Sequence, residues 1–316
     1  MQPTDVVVIT GASSGIGLAT AQAFARRGAK LVLAARGAES LEDAAEECRR
    51  LGADAIAVPT DVSDEPSVER LAAAAIAEFG CIDVWVGAAS VYSYGTFERT
   101  PAEVFRKIVE TNLLGQVSGA RAALPRFREQ GSGTLILVGS VYSKVTSPYV
   151  SPYIAAKFGL LGFCEVLGQE MRGSGIRVCA VLPSTVDTPI YQHAANYTGQ
   201  GVHPLPPVVD ARRVARAIVR LVVRPRPVTV VGRVQGAMIP LHVLVPRIYA
   251  ATIGPLLDLF VLRGGTVEAT PGSVFEAGRG NRVDGGWSSP GHRILAAVGA
   301  VAAMVVLLRK GRRSTT

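Results

Sequence analysis

The stretch DVVVITGASSGIG, residues 5–17, joins a run of apolar residues to a turn rich in glycine. A continuous apolar run ended by glycines is typical of a β-strand that is buried on both faces. Residues with helical spacing follow, over about 15–27, so the stretch predicts a strand–turn–helix unit. Free N–H groups at the start of a helix can hold phosphate oxygens. The turn therefore indicates a nucleotide site, although an ordinary strand–helix connection has the same appearance.

Each glycine of this turn has its own predicted role. Gly11 permits a tight turn, Gly15 lets the backbone approach a pyrophosphate, and Gly17 allows close packing where the helix begins. The spacing differs from the G-x-G-x-x-G fingerprint, so that motif is not matched.

The same unit recurs through the first 235 residues. Apolar segments alternate with segments of helical periodicity, and seven of them predict strands: DVVVIT, KLVLAA, AIAVPT, IDVWVGAA, GTLILVGS, IRVCAVLP and VTVVG. Strict alternation predicts an α/β protein with a doubly wound, parallel, seven-stranded sheet and helices on both faces, the Rossmann fold. In such sheets the site lies at the carboxyl ends of the strands.

Composition narrows the classes of function. The net charge is +8, but four basic residues lie within RKGRR at 309–313, and no basic stripe is interleaved with aromatic residues, so we expect no nucleic-acid partner. The four cysteines are scattered without a C-x-x-C pair, and the histidines lack ligand spacing. We therefore expect neither a disulfide scaffold nor a metal site, and the cysteine usage fits a reducing compartment. No secretion signal is evident at the N-terminus.

Past residue 236 the character of the sequence changes. Residues 1–262 are predicted to form the catalytic domain, whose last apolar segment, 237–262, fits a docking surface, the lining of a lipophilic pocket, or ordinary core. Residues 263–291 are rich in Gly, Pro and Ser and predict a linker. Residues 292–316 predict an apolar tail helix with a basic end.

The tail helix raises the question of a membrane. Its apolar stretch, 294–308, would span ~22 Å as a helix, short of the ~30 Å hydrocarbon core. A short tail anchor, an interfacial helix and a buried or oligomer-packing helix remain open. We expect membrane association through 294–308 at the cytoplasmic face; the alternative is a soluble cytoplasmic protein. A basic end outside the cytoplasm would run against the positive-inside tendency, which favours a helix that does not cross.

The segment SPYIAAKFG, residues 151–159, places Tyr153 and Lys157 four residues apart. Serine followed by proline favours a helix start with the serine hydroxyl as cap, so a helix is predicted from 152 to about 172. Positions i and i+4 share a helix face, and Tyr153 falls in the first turn. The lysine charge and the helix dipole would both lower the tyrosine pKa from ~10. The pair is thus a candidate for proton transfer, or else an ordinary exposed pair.

Two further positions bear on the nucleotide. The second strand ends in AAR, where an acidic residue would bind the ribose of NAD; Arg36 stands there instead and favours the extra phosphate of NADP, unless it is simply a solvated arginine. After the third strand, Asp61 could hold the adenine amino group.

These motifs occur in a fixed order over roughly residues 3–235. T-G-x-x-x-G-I-G, an Asp after the third strand, N-x-x-G in TNLLG, a Ser thirteen residues before the Tyr, and Y-x-x-x-K together resemble the short-chain dehydrogenase/reductase family. The resemblance implies an NADP(H)-dependent oxidoreductase acting on CH–OH groups, with the catalytic residues Asn112, Ser140, Tyr153 and Lys157.

The family mechanism assigns each of these residues a role. Tyr153 would protonate the developing alkoxide, and Ser140 would hydrogen-bond that oxygen. Lys157 would lower the tyrosine pKa and hold the nicotinamide ribose, and Asn112 would support a water that relays protons. The cofactor-binding positions implied are Thr10, Gly11, Ser13, Ser14, Gly15, Ile16, Gly17, Arg36, Asp61, Val62, Ala88, Asn112, Tyr153, Lys157, Pro183, Val186 and Thr188.

The sequence departs from the family pattern at two places. The family usually has N-N-A-G after the fourth strand, where this chain has GAAS at 87–90, and P-G after the sixth, where it has Pro183 and Ser184. We expect altered packing or affinity rather than lost catalysis. The expected partner is a small lipophilic carbonyl or alcohol, and a homo-oligomer is compatible with the family. The alternative is a non-catalytic NADP-binding or scaffold protein on the same fold.

Overall fold

A parallel β-sheet forms the centre of the molecule, seen in a computed structural model that describes residues 5–278 and 280–287. Its strands are β1 Val6–Thr10, β2 Lys30–Ala35, β3 Asp54–Pro59, β4 Val84–Gly87, β5 Gly133–Val138, β6 Ile176–Pro183 and β7 Val228–Val231. They lie in the order β7-β6-β5-β4-β1-β2-β3, and every neighbouring pair is parallel. The predicted doubly wound, seven-stranded sheet is confirmed.

Helices cover both faces of the sheet. Successive residues of a strand point to opposite sides, so each strand contributes side chains to both helical layers. Val7 and Ile9 face one layer and Val8 faces the other. The first layer contains α1 Gly15–Ala25, α2 Ala38–Arg50 and α7 Ala211–Val223. The second layer contains α3 Glu65–Phe79, α5 Gly115–Gln130 and α6 Ser151–Glu170. Strands buried on both faces explain the continuous apolar runs of the sequence.

The long helix predicted before β5 is interrupted. It consists of α4 Ala102–Val109, a π-helical stretch Glu110–Leu114, and α5. Such π-helical stretches are rare and are frequent at functional sites, and this one contains Asn112.

Shorter elements follow the carboxyl ends of the strands. In the part of the chain that the structure describes, three two-stranded pairs lie outside the main sheet: Ser93–Tyr94 with Ala195–Asn196, Val186–Asp187 with Val209–Asp210, and Gln200–Val202 with Leu262–Thr266. Two 3₁₀ turns are Val141–Ser143 and Pro189–Tyr191. Within the described residues, the helices that follow β7 are α8 Arg233–Gly236, α9 Met238–Leu244 and α10 Pro246–Phe260.

The apolar segment 237–262 has two distinct faces. On the inner face, Tyr249 and Ile253 pack against Val141 and Val145, beside the turn that follows β5. The outer face of α9 and α10 leaves several large apolar side chains exposed: Leu241, Val243, Leu244, Ile248 and Leu259. The segment is therefore core on one side and an apolar surface on the other.

The linker predicted over 263–291 is not what the structure shows for the described residues. Leu262–Thr266 pairs with Gln200–Val202, and 271–278 and 280–287 pack back onto the domain. Gly272 has φ +53°, and a Cβ there would overlap the His193 carbonyl. The glycines thus permit close approach of two chain segments, a role that composition cannot distinguish from flexibility.

The predicted tail helix and its apolar stretch 294–308 lie outside the described residues. Within 5–278 and 280–287, no helix combines the length and apolar character needed to cross a bilayer. All four cysteines are free thiols; Cys48, Cys164 and Cys179 are buried, and Cys81 is partly exposed just before β4.

Candidate active site

Helix α6 places Tyr153 and Lys157 side by side in the interior. The helix begins at Ser151, one residue earlier than predicted, and Val150 occupies the N-cap position. The Ser151 hydroxyl has no hydrogen-bond partner in the described structure, so the predicted serine cap is wrong. Tyr153 is 8% exposed and Lys157 1%. The Lys157 Nζ lies 5.4 Å from the Tyr153 ring centroid and donates a 2.8 Å hydrogen bond to the Val138 carbonyl.

Burial changes the expected ionisation of this pair. It raises the pKa of Tyr153 well above the ordinary value, although the Ser140 hydroxyl partly opposes the rise. It also lowers the pKa of Lys157 to about 7. The predicted lowering of the tyrosine pKa is therefore not observed in this structure, because desolvation by burial is the largest influence on this hydroxyl. Tyr153 consequently keeps its proton at neutral pH.

Ser140 and Asn112 approach the pair from two other elements. Ser140 follows β5, and its Oγ accepts from the Tyr142 N–H at 3.1 Å and hydrogen-bonds with Tyr153. Asn112 is fully buried within the π-helical stretch. Both ends of its side-chain amide bond the main chain of Val91, at 2.8 Å each. The asparagine therefore fixes the loop after β4 against the helix.

The glycine-rich turn joins the ends of β1 and β4. The Thr10 Oγ1 accepts from the N–H groups of Ala88 and Ala89, at 3.2 and 3.4 Å. Gly11 has φ +69°, and a Cβ there would lie 2.7 Å from the Ala89 backbone. Gly17 packs directly on the Gly11 carbonyl at the start of α1. The tight turn and the close packing predicted for these two glycines are thus both present.

Arg36 and Asp61 lie near each other beyond the turn. Burial opposes ionisation of Asp61, but hydrogen bonds from the Ser63 hydroxyl and N–H and the charges of Lys107 and Arg36 hold its pKa below the ordinary value. Burial lowers the pKa of Arg36, and the charge of Asp61 partly offsets this. Arg36 is not solvated as the alternative interpretation supposed. Its guanidinium bonds the main chain of residues 273–276.

One cleft at the carboxyl ends of the strands brings the predicted residues together. Thr10 and Asn112 do not line the cleft themselves. They hydrogen-bond the main chain of Ala88, Ala89 and Val91, which do. The remainder line it: Gly11, Ser13, Ser14, Gly15, Ile16, Gly17, Arg36, Asp61, Val62, Ala88, Ser140, Tyr153, Lys157, Pro183, Val186 and Thr188.

The region that supplies most of the cleft lining matches a known family. The family model described as short chain dehydrogenase covers residues 5–197, which contain the glycine-rich turn and the Tyr153–Lys157 pair. The chain belongs to the short-chain dehydrogenase family.

Both a sequence relative and solved structures are similar to this short-chain dehydrogenase. It is 37% identical over 247 residues to YxnA, an uncharacterized oxidoreductase of Bacillus subtilis (strain 168), a match that covers 77% of this chain and 69% of the relative. It is similar to a single-residue variant of actinorhodin polyketide ketoreductase crystallised with NADPH: TM-score 0.69, 29% identity, 75% of this chain and 98% of the other. An alcohol dehydrogenase of Thermococcus sibiricus, complexed with 5-hydroxy-NADP, gives TM-score 0.62 and 30% identity, over 72% and 95% of the chains.

Both departures from the family pattern are accommodated by neighbouring residues. A Cβ on Gly87 would overlap the Oε1 of Gln116, a buried residue of α5, and the Gln116 Nε2 donates to the Ala89 carbonyl at 2.9 Å. Similarly, Ser184 fits because its side chain packs on Gly232, which has none. Sequence reasoning missed Gln116, since a glutamine inside a helix carries no signal of its own.

Replacing Gln116 should therefore destabilise the loop after β4, which lines the cleft. We expect Gln116→Ala to lower the free energy of unfolding by about 1–3 kcal/mol, because the partly buried Ala89 carbonyl loses its donor. Urea unfolding measures the change. Arg121→Ala, on the exposed side of the same helix, is the control and should stay within about 0.5 kcal/mol of the parent protein. Equal stability of the two variants would contradict the role of Gln116.

Tyrosines form a second group that the sequence did not reveal. The rings of Tyr92 and Tyr142 lie 4.4 and 6.3 Å from that of Tyr153, centroid to centroid, and Tyr191 lies 6.0 Å from Tyr92. These tyrosines come from three separate loops, so spacing along the chain could not bring them together. They make the end of the cleft around Tyr153 aromatic.

Proposed function

We propose that this short-chain dehydrogenase is an NADP(H)-dependent oxidoreductase that interconverts a carbonyl and a primary or secondary alcohol. The observation that carries the proposal is the buried Tyr153 hydroxyl, hydrogen-bonded with Ser140 and next to Lys157, in a cleft that begins at the glycine-rich turn. A non-catalytic binding protein would need no such proton-transfer group.

The residues that line the cleft are of the kinds that bind a dinucleotide. Gly11, Gly15 and Gly17 leave a turn without side chains at the start of α1, where main-chain N–H groups and the helix dipole favour phosphate. Asp61, Val62, Pro183, Val186 and Thr188 line the same cleft as that turn. A bound nicotinamide cofactor would supply or accept the hydride.

Residues of the protein would carry out the proton transfer. For reduction, Tyr153 must begin with its proton, and burial favours that form. Ser140 would hydrogen-bond the substrate oxygen where negative charge develops. Lys157 in its protonated form would stabilise the phenolate that Tyr153 becomes. Asn112 would keep the loop at Val91 in place and support a water in the proton relay.

The preference for NADP rests on two points. Arg36 stands at the end of β2, where an NAD enzyme would have an acidic residue. Among the structural neighbours, the ketoreductase contains NADPH and the alcohol dehydrogenase contains 5-hydroxy-NADP.

The lining of the cleft favours a lipophilic substrate. Around Tyr153 it is mainly aromatic or apolar, with Val91, Tyr92, Tyr142, Val145, Tyr191, Leu205 and Met238. Met238 also begins α9, whose outer side chains form the exposed apolar surface. We propose a lipophilic ketone, aldehyde or alcohol that reaches the cleft past α9. Membrane association through 294–308 remains a prediction.

Titration of the purified protein with NADPH and NADH tests the cofactor, and a panel of carbonyl compounds tests the substrate. We expect tighter binding of NADPH, and a higher kcat/KM for long-chain or cyclic ketones than for small polar ones. Similar kcat/KM values across the panel would overturn the lipophilic assignment. Absence of binding of either nucleotide would favour the scaffold alternative.

A further inference from the structure

The C-terminal strap, which we define as residues 271–278 and 280–287, crosses the cofactor cleft. It contacts the arginine at the end of β2, the glycine-rich turn and the segment after β6, which are three parts of the predicted cofactor site. Ser273, Ala277, Gly278 and Gly280 line the cleft directly. The strap lies beyond residues 5–197, the region shared with the family model.

Arg36 is held by the first part of the strap. Its Nη2 donates to the carbonyls of Ser273 and Glu276, at 2.7 and 2.6 Å, and its Nη1 donates to the carbonyl of Val274 at 3.1 Å. A guanidinium has two edges that can bind a phosphate through paired N–H groups, and each edge uses one hydrogen of Nη2. Because both Nη2 hydrogens are donated to the strap, neither edge has both of its N–H groups free for a phosphate. Arg36 therefore cannot clamp a phosphate bidentately while the strap is in place.

The second part of the strap reaches the glycine-rich turn. The Gly15 N–H, at the start of α1, donates to the Arg282 carbonyl at 2.9 Å. With the strap present, the cleft has a volume of ≈ 240 Å³, below the ~300–1,000 Å³ of pockets that enclose drug-sized ligands. A dinucleotide is larger than such ligands, so the strap must move for the cleft to receive one.

The two parts of the strap have separate anchors. Val274 is 0% exposed in the cluster that contains Tyr92 and Tyr153, and the Ser273 N–H donates to the His193 carbonyl at 2.8 Å. Val283 is buried against the first helical layer. The Oδ1 of Asp187 accepts from the N–H groups of Gly285 and Trp287, at 2.9 and 3.0 Å. Each part can therefore be weakened by a substitution that leaves the other anchored.

We propose that the strap determines cofactor specificity, because its main-chain carbonyls compete with the 2′-phosphate of NADP(H) for Arg36. The inference rests on the proposed function. Both nicotinamide dinucleotides carry a pyrophosphate, so the contact at Gly15 affects them alike. NADPH alone carries the 2′-phosphate, so only NADPH has to displace the strap carbonyls from Arg36.

Three matched serine substitutions test the strap. We expect Val274→Ser, which weakens the part that holds Arg36, to lower the Kd for NADPH about tenfold, with the Kd for NADH changed no more than about twofold. Val283→Ser should change both Kd values by the same factor. Val267→Ser, at a position 40% exposed and outside the strap, is the control and should change neither. Fluorescence titration of the full chain gives all of these constants.

Hydrogen exchange of the parent protein gives a second readout that needs no variant. Saturating NADPH should speed exchange of peptides within 271–278, and NADH should not. An unchanged ratio of the two Kd values in a folded Val274→Ser protein, or slower exchange of 271–278 with NADPH, would overturn the inference. Those results would leave the proposed function intact. Failure of all the proteins to bind either nucleotide would overturn both.

Discussion

Replacing Tyr153 with phenylalanine is expected to lower kcat by about 10²–10⁴-fold, with the Kd for NADPH changed only a few-fold. The substitution removes a single hydroxyl, which is the group placed to exchange a proton with the substrate oxygen. The ring, which packs on Tyr92, stays in place. Steady-state kinetics with a reactive ketone, combined with nucleotide titration, separates loss of chemistry from loss of binding.

Tyr142→Phe is the matched control for this experiment. It removes a hydroxyl from a partly buried tyrosine in the same cleft, whose ring lies 6.3 Å from that of Tyr153. We expect its effect on kcat to stay below about tenfold, because that hydroxyl bonds Ser147 and donates no proton in the mechanism. Equal losses in the two variants would show that the cleft is sensitive to any hydroxyl, and would remove the special role of Tyr153.

Replacing Lys157 with methionine is expected to abolish turnover and, at the same time, to stabilise the fold. The lysine is 1% exposed, and burial lowers its pKa to about 7. At pH 7 the folded protein therefore bears the cost of a buried, partly charged amine. An apolar side chain of similar length removes that cost but leaves the Val138 carbonyl without its donor, and we expect a net rise of about 1–3 kcal/mol in the free energy of unfolding at pH 7. Loss of activity together with loss of stability would contradict this account.

The pH dependence of stability should differ between the two proteins. The pKa of Lys157 is about 7 in the folded chain against an ordinary value of 10.5. Between these values the unfolded chain binds a proton that the folded chain lacks, so the lysine makes stability rise with pH across this window. Urea unfolding at pH 7 and pH 9 should therefore show the advantage of Lys157→Met shrinking at the higher pH. An advantage that stays constant would indicate that the lysine pKa is not lowered.

The fold was predictable because its signals are local and repeated. Every sheet strand is a short apolar run followed by a helical segment, and the parallel sheet follows from that alternation. The interruption at Glu110–Leu114 was not predictable, because a π-helical stretch inserts one residue into a helix without changing its composition.

The candidate site was predictable where its residues lie on one element or one turn. Tyr153 and Lys157 share a helix, and the glycines share a turn. The partners of Arg36 and Gly87 were not predictable, because they come from segments distant along the chain, 273–276 and Gln116. The pKa of Tyr153 was also misjudged, since burial is a property of the assembled fold and outweighs the local charges that the sequence reveals.

The placement of the cysteines gives the molecule a single convenient point of chemical attachment. Three of the four thiols are buried, whereas Cys81 is partly exposed and precedes β4, at the amino-terminal ends of the strands and so opposite the cleft. A tether joined to Cys81 would fix the protein on a solid support with its cleft directed towards the solvent. Burial and the neighbouring Asp83 raise the pKa of this thiol, so coupling would proceed best in mildly alkaline buffer.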